Sequence, residues 1–266
     1  MSLDTPVQRQ SSLSSSRHWL GVGMLLLGAM VVSGCDDDAE RPEKITKLRA
    51  IGVSASRTAV EPSTAETPQV VTLTFLAAVP KGETVTAEAF RDEDSQYAIP
   101  LPVTIQQETA ATNTTYAGLD IFSVSGTLVA PSAATPIPAD PGFVALRYGI
   151  RLVAGAESET IVGNVILVPP GATQLSWAPL SVDVSAPTAG AVVSAGGESD
   201  LVATTVKGTE ENVRVGWYVS SGKVKNRRAR ETKWEEPGQG THTVIVTARG
   251  LRTGAFAWKA VDIAAQ

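Results

Sequence analysis

Few residues in this chain have the chemistry of catalysis or metal binding. There is one cysteine, Cys35, and of two histidines only His242 follows it. A metal site built on paired His or Cys ligands is therefore excluded, which leaves carboxylates. Two acidic clusters come into question for Ca²⁺, a hard cation that takes about six to eight oxygens. They are Asp36-Asp37-Asp38 and Arg91-Asp92-Glu93-Asp94-Ser95. Neither has the spaced oxygens of a calcium loop, so no metal and no cofactor is expected. No glycine-rich phosphate loop opens a helix. A Ser-His-acid triad would have to use His242, which lies inside a strand pattern; a ring bonded to a nearby loop is its expected role. No catalytic residue is assigned, and the chain is not expected to be an enzyme.

Charge is more informative than nucleophiles. In the stretch "GKVKNRRARETKW", Lys223, Lys225, Arg227, Arg228, Arg230 and Lys233 fall within 11 residues, closed by Trp234. On a strand, Lys223, Lys225 and Arg227 share one face. Such a ribbon suits a polyanion: lipopolysaccharide, a teichoic-type polymer, extracellular DNA or an acidic partner domain. The preferred reading is that these cations guard an exposed edge strand against aggregation. The interleaved aromatics of a single-strand groove are absent, so nucleic acid is not an expected partner. Tyr218, Trp234 and Trp258 would stack on sugar rings if exposed and coplanar, but packing in the core or at its rim is the expected role.

Cys35 stands between an apolar run and three aspartates. Upstream are a Ser-rich segment with Arg9 and Arg17 and an apolar stretch from Trp19 to Val32. Those 14 residues make about 21 Å of helix, short of a hydrocarbon core of roughly 30 Å. The segment reads as a secretory signal rather than a spanning helix. Its ending, Val32-Ser33-Gly34-Cys35, resembles the bacterial lipobox. That resemblance implies cleavage before Cys35, with the thiol diacylglycerylated and acyl chains such as palmitate holding the chain to a membrane. An ordinary secretory signal with a chance cysteine is the alternative. Several acyl chains, at ~0.8 kcal/mol per buried CH₂, suffice for a stable anchor. In enteric bacteria an aspartate after the lipidated cysteine resembles an inner-membrane retention signal. That code is not general, and the outer membrane, on its periplasmic or surface face, is the expected location.

The residues after 34 must supply the fold. Their apolar content is mostly Val, Ala, Leu and Ile, with abundant Thr and Ser, and Gly and Pro as punctuation. No amphipathic helix of three turns is visible, and short β-branched runs predict an all-β protein. From Asp36 to Ala178 there are 17 acids and 9 bases, a net of −8; from Pro179 to Gln266 there are 9 acids and 11 bases, a net of +2. The shift falls at a Pro/Gly-rich segment. The expected organisation is a signal peptide (1–34), a lipidated acidic tether (35–44), a β-sandwich (45–168), a linker (169–179) and a second sandwich (180–266). In the first, strands are predicted at 45–53, 70–78, 85–90, 101–106, 121–129, 143–153 and 160–168. Val71, Leu73, Phe75 and Ala77 alternate with Thr72 and Thr74, which suits a strand with one face on a core. Pro131, Pro136, Pro138 and Pro141 make a loop.

In the second, Val213, Val215, Trp217 and Val219 alternate with Arg214, Gly216, Tyr218 and Ser220. His242, Val244, Val246 and Ala248 form one side of a later strand. A central tryptophan on the third strand points to an immunoglobulin-like sandwich. Gly240-Thr241-His242-Thr243-Val244 resembles the Gly-Thr-Tyr-Thr-Val run of PKD-type modules, with His where Tyr is usual. "WYVSSGKV" and "RGLRTGAFAWKAVDI" are also similar to the C-terminal module of uncharacterised deltaproteobacterial and myxobacterial lipoproteins. The resemblance implies fold, not activity. The expected function is that of a lipid-anchored envelope protein: a non-enzymatic structural or adhesive module for a protein or envelope polymer. The second reading is carbohydrate or polyanion binding through the basic ribbon and its aromatics.

Overall fold

The computed structural model describes residues 42–90, 103–108, 116–132, 134–140, 142–172, 180–207, 212–251 and 254–266. The signal segment, Cys35 with Val32, Ser33 and Gly34, both acidic clusters and linker residues 173–179 lie outside the described residues. Among the described residues every regular element is a strand, and no helix is long and apolar enough to cross a membrane.

The first half contains β1 (Arg49–Ala55), β2 (Ala59–Val60), β3 (Val70–Pro80), β4 (Thr86–Phe90), β5 (Val103–Glu108), β6 (Leu119–Val129), β7 (Val144–Ala154) and β8 (Glu157–Leu167). The second contains β9 (Leu180–Ala186), β10 (Val192–Val193), β11 (Glu198–Lys207), β12 (Val213–Val219), β13 (Lys223–Val224), β14 (Glu231–Glu235), β15 (Gly240–Gly250) and β16 (Phe256–Ala265). The predicted strands are present with ends shifted by a few residues. β2 was not predicted, because two residues are too few to show alternation.

Both halves are wired alike. The sheets β1-β3-β6-β5 and β2-β8-β7-β4 of the first half recur, strand for strand, as β9-β11-β14-β13 and β10-β16-β15-β12. The pairings are antiparallel except β2 with β8 and β10 with β16. Two four-stranded sheets face to face in this order make an immunoglobulin-like sandwich, and the chain holds two in tandem. Trp217 lies on the third main strand of the second, as expected for that fold, and is fully buried.

Alternation explains each core. Val71, Leu73, Phe75, Ala77 and Val79 of β3 join Leu146, Ile150 and Leu152 of β7 in the first. Val215, Trp217 and Val219 of β12 meet Leu201, Val244, Val246 and Trp234 in the second. A third apolar cluster lies between the sandwiches. Ile51 (β1), Leu76 and Ala78 (β3), and Leu119 and Ile121 (β6) pack against Ile245 (β15) and Ala260 (β16), with Tyr218, Phe256 and Trp258 at its margin. Residues 75–79 and 243–248 are therefore buried without a break. The two inner sheets are covered on both faces there, which turns an alternating strand into a continuous buried run, with Thr243 and Thr247 its polar members.

Polar contacts fix this junction. The Ala117 N–H donates to Asp262 Oδ2 (2.9 Å), the Gly118 N–H to Thr243 Oγ1 (3.0 Å), and Thr243 Oγ1 in turn to Asp262 Oδ1 (2.7 Å). A Cβ on Gly118 would collide with Ser220, and one on Gly52 with the Phe256 ring, so glycine permits the close approach at both points. Glu43 and Lys44, expected at the end of the tether, lie on the edge of β12. The Ile45 N–H donates to Val219 O and the Val219 N–H to Glu43 O, each at 2.9 Å.

Candidate functional site

The basic stretch does not form one ribbon. β13 ends at Val224, and residues 225–230 fold as turns before β14 begins. Lys223, Lys225 and Arg227 therefore do not share a strand face. The turns are tied down from below. The Trp217 N–H and Nε1–H donate to Arg227 O (3.0 Å) and Ala229 O (2.9 Å), and the Ala203 N–H donates to Arg230 O (2.9 Å). The Asn226 N–H donates to Thr232 Oγ1 (2.9 Å), and the Arg228 N–H donates to Asn226 Oδ1 (3.2 Å).

This geometry separates lysines from arginines. Lys223 Nζ meets Glu236 at 2.9 Å, Lys225 meets Glu235 at 4.0 Å, and Lys233 bridges Glu198 at 3.1 Å and Asp200 at 2.8 Å. The two carboxylates raise the Lys233 pKa further. These three lysines are balanced by acids of β11, β14 and the residue after β14, as a protected sheet margin would be. Arg230 is exposed and apart from them.

Arg227 and Arg228 point elsewhere. They line a groove of about 220 Å³ together with Arg214 of β12 and Arg249 of β15. Its other walls are Ile51 and Gly52 of the first sandwich and Tyr218, Thr247 and Phe256 of the second. Arg214 and Arg249 are direct cross-strand partners. Like charges so placed destabilise a sheet. No carboxylate lines the groove among the described residues, and none of the four guanidinium groups forms an ion pair there. Burial raises the pKa of the Tyr218 phenol, with Arg227 pulling the other way and Glu159 adding to the rise. That glutamate is already held by Arg49 Nη1 at 3.1 Å and by the Ala50 N–H. The arrangement can bind an anion. Among the described lining residues no nucleophile is paired with a base.

The aromatic residues pack in the core or at its rim, as expected. Trp234 is fully buried, with Nε1–H donating to Ser221 O (2.8 Å) and its ring edge-to-face with His242 at 6.2 Å, so it cannot stack on a sugar. Trp258 and Tyr218 pack at the margin of the junction. His242 Nε2 lies 2.8 Å from Gly238 O, the loop contact expected of it. Arg214 and Arg249 were not singled out from the sequence. Each stands on the outward side of its strand pattern, but only the register places them opposite one another.

No family model and no curated protein matches the chain. Among solved structures it is similar to the fibronectin(III)-like modules of Clostridium thermocellum CbhA, at 15% identity and a TM-score of 0.30 over 80% of this chain and 94% of that one. It is also similar to the N-terminal Ig1-2 module of the Drosophila receptor protein tyrosine phosphatase DLAR, at 8% identity and a TM-score of 0.28 over 83% of this chain and 99% of that one. The titin domains z1z2 in complex with telethonin match at 11% identity and a TM-score of 0.23, over 84% and 98% of the two chains. Likenesses at this level say nothing of activity, and the fold stands on the strand pairings above.

Proposed function

We propose that this is a lipid-anchored, non-enzymatic binding module of the bacterial cell envelope, whose groove between two sandwiches holds an anionic group of an envelope polymer or partner protein. The groove's four arginines, which no described carboxylate pairs, carry the reading, since neighbouring lysines of the same hairpin all have acids beside them. Keeping like charges together costs stability, and a bound anion would relieve that cost. The lipobox-like Val32-Ser33-Gly34-Cys35 supports the anchor at Cys35, with the outer membrane as the expected site. Of the sequence's six basic candidates, Arg227 and Arg228 line the groove, Lys223, Lys225 and Lys233 serve the margin of the second sandwich, and Arg230 is exposed.

Retention on heparin tests the reading. The full chain in neutral detergent should elute earlier as salt rises, because exposed charge interactions are screened. Arg227→Glu with Arg228→Glu should abolish retention, whereas Lys223→Gln with Lys233→Gln should leave most of it. The reverse ranking would return the site to the lysine margin and remove the groove.

A further inference from the structure

The groove's size and charge narrow its ligand. At about 220 Å³ it is smaller than the roughly 300–1,000 Å³ of sites that enclose drug-sized molecules. It has room for one compact charged unit, not for a length of polymer. Four guanidinium groups, with no lining carboxylate among the described residues, leave a single negative charge far short of balance. Guanidinium forks match the paired oxygens of a tetrahedral oxyanion and bind it through parallel N–H donors. Beside them stand the rings of Phe256 and Tyr218; the Phe256 ring covers Gly52, and the Thr247 hydroxyl covers Gly216. The two aromatic rings offer a surface for a small ring.

From these features we infer that the groove binds a phosphate monoester carried on a sugar-sized group, the phosphate meeting Arg214, Arg227, Arg228 and Arg249. This rests on the anion-binding reading and makes it specific. A monoester gains its second negative charge near pH ~6, whereas a sulfate ester or a sugar carboxylate carries one charge throughout. Among the described residues no histidine and no carboxylate lines the groove, and burial pushes the Tyr218 phenol up. Glu159, near Tyr218, is held by Arg49 and by the Ala50 N–H. Any pH dependence of binding near neutrality would therefore belong to the ligand.

Calorimetric titration of the full chain in neutral detergent, at fixed ionic strength, tests this with glucose 6-phosphate, glucose 6-sulfate and glucuronate. Glucose 6-phosphate should bind tightest and gain on the order of tenfold between about pH 5 and about pH 8. The other two should stay weak and flat. Arg249→Ala and Arg214→Ala should each weaken glucose 6-phosphate by about tenfold. Each should also hold or raise the melting temperature, since each removes a like-charge pair; binding lost with the fold kept separates a site from a structural defect. Phosphatidylcholine vesicles with and without phosphatidic acid distinguish the sources. Arg249-dependent capture identifies a lipid headgroup, and no capture beside intact sugar-phosphate binding identifies a glycan. Equal affinity for phosphate and sulfate with no pH dependence, or no loss in Arg249→Ala, would overturn the assignment. If heparin retention still depends on Arg227 and Arg228, the ligand class alone is wrong; if that retention is also absent, the anion-binding reading falls with it.

Discussion

The two sandwiches share one strand order and fill it differently. The first is packed with aliphatic side chains around one aromatic pair, Phe75 and Tyr148, edge to face at 5.9 Å. The aliphatic contacts are non-directional and leave the surrounding loops to themselves. The second is built around Trp217 and Trp234, both fully buried, and each donates its Nε1–H to a loop carbonyl. A buried indole N–H needs an acceptor, so the core itself dictates where the loop runs. That is why residues 225–230 hold a fixed path, with Arg227 and Arg228 turned into the groove. One sandwich serves as a wall and the other as a platform, although the topology is the same.

Removing the platform's centre should have the largest effect. Trp217→Ala deletes the central core side chain and the donor to Ala229 O, and losses of about 3–5 kcal/mol are typical for such truncations. Denaturant unfolding should show that loss, with heparin retention lost in any fraction that remains folded. A variant with unchanged retention would show that the turn needs no anchor, and the contrast between the sandwiches would lose its point.

The wall's contribution can be isolated on a single strand. Leu73 and Leu76 of β3 are both essentially fully buried, Leu73 in the first core and Leu76 in the junction. Leu76→Asp puts a carboxylate into that junction at a cost of roughly 3 kcal/mol or more. The sandwiches should then part, which small-angle scattering would record as a larger radius, and the groove should fail. Leu73→Ala should cost a comparable 2–5 kcal/mol or so with the junction and the groove intact. Two variants alike in both readouts would mean that the halves unfold as one and that the wall has no separate role.

What the sequence revealed follows the range of each interaction. Alternation is local, so Val71 to Ala77 against Thr72 and Thr74, and Val213 to Val219 against Arg214 and Tyr218, could be read directly. The indole of Trp217 and the loop contact of His242 were also legible, because the fold assigns those positions a role. The burial of Leu76 and Ala78 was not. Their cover comes from Ile245 and Ala260, far along the chain, and no local pattern encodes that. The site was half legible for the same reason. Arg227 and Arg228 stood out as a run, but Arg214 and Arg249 meet only through the register of β12 with β15. The lysines looked equivalent to the arginines because their acids, Glu198 and Asp200 among them, come from a neighbouring strand.

The smallest expected effect concerns the corner of β15. His242 Nε2 contacts Gly238 O at 2.8 Å, and its ring lies edge-on to Trp234. The counterpart strand β7 has the fully buried Leu146 at its third position, where β15 has His242. The corner thus belongs to the tryptophan-centred platform alone. His242→Ala should cost about 1 kcal/mol, the worth of one hydrogen bond and an edge contact. His242→Tyr, whose hydroxyl can reach the same carbonyl in other immunoglobulin-like corners, should fall within about 0.5 kcal/mol of the native chain. Neither should alter heparin retention, because the corner lies away from the groove. If His242→Ala removed retention while the melting temperature held, the histidine would be part of the site, and the division between a structural corner and a binding groove would have to be redrawn.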